Sequence, residues 1–161
     1  MADVRFITTG GTIDKVYFDK KSEFEVGDPQ IREVLSEANV TFSFEVQSVL
    51  RKDSLDMTEA DRALVRQAVL GAPEKRIVIT HGTDTMIQTG LVLRDIPGKT
   101  VVLTGSMSPA RFRNSDAIFN IGFAIAATET LLPGVYVAMN GRIFDPISTR
   151  KNVGENRFEN S

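Results

Sequence analysis

Short apolar runs rich in Val, Ile and Phe alternate along the chain with longer stretches of helical spacing, the order that a parallel α/β sheet requires. The runs predict strands at Val4–Thr9, Phe42–Val49, Arg76–Thr80, Thr100–Thr104 and Gly134–Met139. Between them, Pro29–Ala38 reads as a helix opened by Asp28 as its cap, with Pro29 at the first helical position. Thr58–Leu70 reads as a second helix, with Thr58 and Asp61 as a cap-like pair, and Thr83–Leu93 as a third. In a fourth, Ser115–Thr128, apolar residues from Ala117 to Ile125 cover nearly every face, so this helix is expected to pack deeply or to lie at a subunit interface. The segment Asp14–Gly27 breaks the pattern: charges crowd around Tyr17, Phe18 and Phe24, as in a flexible hairpin or lid. After Ile143 the chain turns polar, and Lys151–Ser161 reads as an exposed loop or fraying terminus.

Composition narrows this to one globular domain over residues 1–161, with 42% hydrophobic and 25% charged residues. Nineteen basic against twenty-one acidic side chains leave a formal charge of −2, which gives no electrostatic basis for binding nucleic acid or an anionic membrane. The absence of cysteine removes disulfides, thiolate chemistry and Cys-based metal sites. Met1–Phe6 shows no apolar signal region and no run is long enough to span a bilayer, so the expected location is cytoplasmic.

In an open parallel sheet, ligands collect beyond the carboxyl ends of the strands, where loops and helix N-termini present free N–H groups. Three of the five predicted strand ends carry glycine beside hydroxyls: Thr8-Thr9-Gly10-Gly11-Thr12, Thr80-His81-Gly82-Thr83-Asp84 and Thr104-Gly105-Ser106. Glycines let a backbone approach a ligand closely, and a neighbouring hydroxyl can attack a carbonyl. Gly98-Lys99-Thr100 precedes a strand instead of following one, which excludes a phosphate-binding loop. His81, the single histidine, is expected to be a hydrogen-bonded structural residue more than a triad member. Asp14, Asp56, Asp84 and Asp116 are too scattered to predict a metal site.

Taken together, Thr9-Gly10-Gly11-Thr12-Ile13 and His81-Gly82-Thr83-Asp84-Thr85-Met86 resemble the two signatures of the L-asparaginase family, amidohydrolases with a threonine nucleophile. Asp53-Ser54-Leu55-Asp56-Met57, Leu103–Pro109, Ser115-Asp116-Ala117 with Asn120, and Thr149-Arg150-Lys151 extend the resemblance over essentially the whole chain, as the larger N-terminal domain of a family member without the smaller C-terminal one. The resemblance implies an open, mostly parallel, Rossmann-like three-layer α/β sandwich and an activity that needs no cofactor. By it, Thr12 matches the attacking residue, and Thr83, Asp84 and Lys151 match a second Thr-Lys-Asp set, with Arg150 competing for the lysine's place. Backbone N–H groups near Gly11 and Thr83 match the oxyanion donors, and Gly82 falls among the substrate-binding positions. Ser54 and Asp84 match the positions that hold a substrate's carboxylate and amine, and Ser106 falls in a further binding loop.

Three departures bear on recognition. The lid tyrosine of the family is replaced by Phe24, which leaves Tyr17, seven residues earlier, as the candidate for its role. Leu55 stands beside Ser54 where many members carry a polar side chain, and the neighbouring subunit's C-terminal domain, which closes the site in full-length members, is not expected to do so here. The expected function is therefore hydrolysis of a small side-chain amide, asparagine or a relative, by a homodimer or higher oligomer. The alternative is a small-carboxylate binding or interaction module on the same fold.

Overall fold

The computed structural model describes residues 1–18 and 23–161. In chain order the elements are β1 (Val4–Gly10), β2 (Lys15–Phe18), β3 (Glu23–Val26), α1 (Ile31–Glu37), β4 (Phe44–Lys52), α2 (Glu59–Gly71), β5 (Arg76–Thr80), α3 (Met86–Leu93), β6 (Thr100–Thr104), α4 (Ala117–Thr130), β7 (Gly134–Met139), β8 (Arg142–Phe144), β9 (Thr149–Asn152) and β10 (Arg157–Asn160). The central sheet runs β4-β1-β5-β6-β7-β8, parallel except for β8 at one edge.

Alternate residues of the central strands feed two separate cores. Ile7, Ile77, Ile79, Val101 and Leu103 face α2 and α3, through Val65, Val69, Met86 and Leu93. Val4, Phe6, Val78 and Val102 face α1 and α4, through Val34, Leu35, Ile121 and Ala124. This is the expected three-layer α/β sandwich, and burial on both faces explains why the strands read as unbroken apolar runs. The chain leaves β1 for β4 on one side and returns for β5 on the other. The connections after β1 and β5 therefore diverge, opening a crevice at their carboxyl ends.

Several boundaries move for physical reasons. The Thr58–Asp61 capping box forms as expected, each residue's side chain accepting from the other's backbone N–H. Asp28 does not cap α1: it pairs with Arg51 at 2.6 Å, while the helix starts at Ile31 after Gln30, whose N–H donates to the Asp14 carboxylate. α3 begins at Met86, not Thr83, because Ser54 holds Thr85 in the loop, its Oγ accepting from the Thr85 N–H and its carbonyl from the Thr85 hydroxyl. Asp14–Gly27 contains the paired strands β2 and β3, whose connection, residues 19–22, lies outside the described residues. The tail is not a fraying terminus. β9 and β10 form a hairpin docked on the domain by Phe158, which is buried against Phe144 at 6.5 Å and whose N–H donates to Asn140. Among the described residues, no helix is long and apolar enough to cross a membrane.

Candidate active site

Two glycine loops meet in the crevice between β1 and β5. Gly10 and Gly11 both adopt positive φ, 97° and 88°, at the end of β1. A Cβ on Gly11 would stand 2.4 Å from the Gly82 nitrogen, and one on Gly82 would stand 2.7 Å from Ser54 Oγ. Only glycine permits this approach. It brings Gly11, Gly82 and Ser54 side by side and places Thr12, on the 3-10 turn Thr12–Asp14, next to the loop that carries Thr83 and Asp84.

Lys151 enters from far along the chain. Its Nζ lies 2.8 Å from Thr83 Oγ1 and 2.6 Å from Asp84 Oδ1, and its side chain is only 14% exposed. Arg150, the competing residue, points to the other face of β9 and pairs with Glu159 across the hairpin. Strand alternation decides between them: Lys151 sits opposite the buried Phe158 and shares its inward face. A cleft of about 320 Å³ opens beside the Lys151–Asp84 pair, lined also by Ile87, Gln88, Thr149, Arg150 and Val153.

Ser54 is buried, and Leu55 follows it on the same turn, 71% exposed. Asp53 anchors that turn, accepting from the Leu55 N–H and pairing with Lys15 at 3.0 Å. Burial opposes the Asp53 charge, yet the Lys15 hydrogen bond, the Leu55 N–H and the charges of Lys15 and Lys151 together hold its carboxyl below the ordinary range. The Lys15–Asp53 contact was not anticipated from sequence, since a lone lysine in a charged segment carries no spacing signal.

Ser106 is drawn into its own loop, where its hydroxyl donates to the Ser108 carbonyl instead of facing the crevice groups named above. That loop is shaped by Asp116, which accepts from the N–H groups of Met107 and Ser108, and by Asn120, which donates to the Gly105 carbonyl. His81 is buried and has both ring nitrogens occupied: Nδ1 is 2.7 Å from the Gly82 carbonyl and Nε2 is 2.7 Å from Thr89 Oγ1. A carbonyl can only accept, so Nδ1 carries the proton and Nε2 accepts from the Thr89 hydroxyl. Burial lowers the His81 pKa to about 4, and no ring nitrogen is left for a triad. Tyr17 lies directly opposite Phe24 in the β2–β3 ladder, with the rings 5.4 Å apart. Among the described residues no group of carboxylates and histidines is placed to hold a metal ion.

A family model for the asparaginase N-terminal domain matches residues 3–158. The chain belongs to the asparaginase family. An L-asparaginase of Thermococcus kodakarensis is 36% identical over 122 residues, covering 71% of this chain and 37% of that protein. A glutaminase-asparaginase of Acinetobacter glutaminasificans is 28% identical over 169 residues, covering 94% of this chain and 50% of that protein. The solved structure of the thermostable T. kodakarensis L-asparaginase superposes with a TM-score of 0.83 at 31% identity, over 98% of this chain and 50% of that one. This asparaginase-family chain thus spans half or less of the length of these relatives.

Proposed function

We propose that the chain hydrolyses a small side-chain amide, asparagine or a close relative, through Thr12 and an acyl-enzyme. The observation that carries this reading is the Thr83–Lys151–Asp84 cluster, which joins residues 68 and 67 positions apart at 2.8 and 2.6 Å beside the Thr12 turn. The Thr12 hydroxyl attacks the amide carbon, its proton passes to the departing nitrogen, and ammonia leaves an ester on Thr12 Oγ. Water then attacks that ester, with Thr83 and Lys151 relaying the water's proton, so that the acid is released and Thr12 regains its hydrogen. Lys151 takes the proton from Thr83 and passes it on, with Asp84 holding the amine in place at 2.6 Å. N–H groups around Gly11 and Thr83 face the developing oxyanion, a kind of donor whose loss typically costs on the order of 100- to 1,000-fold in rate. Ser54 and Asp84 would receive the substrate's carboxylate and amine, with Leu55 bordering that region, and Tyr17 would take the place left by Phe24.

Ammonia release from asparagine and glutamine tests the reading. Wild type should turn over, with Thr12→Ala and Lys151→Met each lowering kcat at least about 1,000-fold. Equal background from wild type and Thr12→Ala across a panel of amides would end it. In that case thermal stabilisation by aspartate would support the carboxylate-binding alternative, which the apolar Leu55 beside Ser54 favours.

A further inference from the structure

We infer that Phe112 is a positioning residue that clamps the β2–β3 hairpin, and with it Tyr17, against the loop between β6 and α4. Three rings stand in a row: Tyr17 and Phe24 at 5.4 Å, then Phe24 and Phe112 at 5.7 Å with their planes at 62°. Each is close to half exposed, at 49%, 47% and 46%, and all three lie outside both cores. Aromatic pairs of this geometry favour contact by roughly two- to tenfold.

The two sides of the contact are held very differently. The Phe112 turn is tied down by Phe112 N–H to the Pro109 carbonyl, Ser115 N–H to the Phe112 carbonyl and the Asp116 carboxylate on Met107 and Ser108. Its Ala110 N–H donates to the Ile13 carbonyl, next to Thr12. The hairpin is fixed at its base, by Gly27 N–H to the Asp14 carbonyl and by Lys15 to Asp53. Farther out, at Tyr17 and Phe24, the contact with Phe112 ties it to the domain. β2 starts at Lys15, directly after the turn that carries Thr12, so a hairpin whose outer end swings away from Phe112 displaces Tyr17 relative to that turn. The catalytic consequence rests on the amidohydrolase reading above; the clamp itself does not.

The chain has two tyrosines and no tryptophan, so in a Tyr136→Phe background emission comes from Tyr17 alone. Phe112→Ala should raise iodide quenching of Tyr17 by roughly twofold, while Ile147→Ala, an exposed apolar control elsewhere, leaves it unchanged. Identical quenching in Phe112→Ala and its parent overturns the clamp whether or not the protein is active. In turnover, Phe112→Ala should lower kcat about tenfold with a smaller change in KM, and Phe112→Tyr should restore it. Doubled quenching with an unaltered kcat overturns the positioning role. A wild type that releases no ammonia sinks the amidohydrolase reading, and quenching then judges the clamp alone.

Discussion

Asp14 is held by the fold but only half satisfied. Its Oδ1 accepts from the Gln30 N–H at 3.0 Å, while Oδ2 is buried with no partner among the described residues. Burial pushes its pKa up to about 6, against the opposing hydrogen bond from Gln30 and the charges of Arg51 and Arg111. An acid whose pKa rises on folding favours the fold when protonated. That contribution is complete below about pH 4 and lost as the pH climbs through about 6, a difference on the order of 3 kcal/mol. Asp14→Asn should therefore be more stable than wild type at pH 7.5, by about 1–2 kcal/mol after the cost of one unpaired amide donor, and should lose that advantage at pH 4. Urea unfolding at the two pH values measures it; an advantage independent of pH would refute the account. His81 pulls the other way, since its lowered pKa withdraws stability as the pH falls from about 6.5 towards 4. At this scale the glycines and hydroxyls of the crevice were legible, because close backbone approach demands glycine. Lys151 against Arg150 was not, since neighbouring residues of like charge differ only in the face of a strand whose existence the sequence obscured.

Among the elements, the β9–β10 hairpin was the least legible. Its apolar content is thin, and what docks it on the domain is the buried Phe158 ring together with the Phe158 N–H bond to Asn140 and the Lys151 contacts with Thr83 and Asp84. The Arg150–Glu159 pair joins the two strands of the hairpin to each other near solvent and adds little to this docking, so the ring dominates. Phe158→Ala removes a side chain of a kind whose loss costs about 3–5 kcal/mol. Hydrogen exchange should then quicken across residues 149–160 before the central sheet is affected, and ammonia release should fall with it although no residue of the site has changed. Full protection of that segment in the variant would show that the hairpin is held by something else. α3 teaches the converse lesson. Its apolar spacing reads as helical from Thr83, and the long-range capture of Thr85 by Ser54, with the Lys151 bonds to Thr83 and Asp84, holds the first three residues out of the helix.

At the scale of the whole molecule, α4 leaves an apolar face open. On α4, Ile118 and Phe119 are 57% and 61% exposed, and Phe119 stacks on Phe123 at 6.1 Å. The inner face of the same helix is packed into the core, so the sequence reading of deep burial or interface holds on the inner side and stays open on the outer. The expected homo-oligomer is tested there: sedimentation should give a dimer or larger species for wild type and a shift to monomer for Phe119→Asp. A monomeric wild type would remove that expectation. The layered architecture was readable from the alternation of runs, because each strand buries both faces; the order of strands was not, since nothing local records that β4 lies outside β1. That order also sets when the crevice can exist. It draws on residues 9–12, 81–85 and 149–152, segments that touch only after the sheet has closed around β1 and the hairpin has docked. Contacts of such long separation require long loops to close, whose entropy must be met before they form. No partly folded chain can expose a competent arrangement of these hydroxyls and the amine, so any chemistry they perform is confined to molecules that have completed the fold.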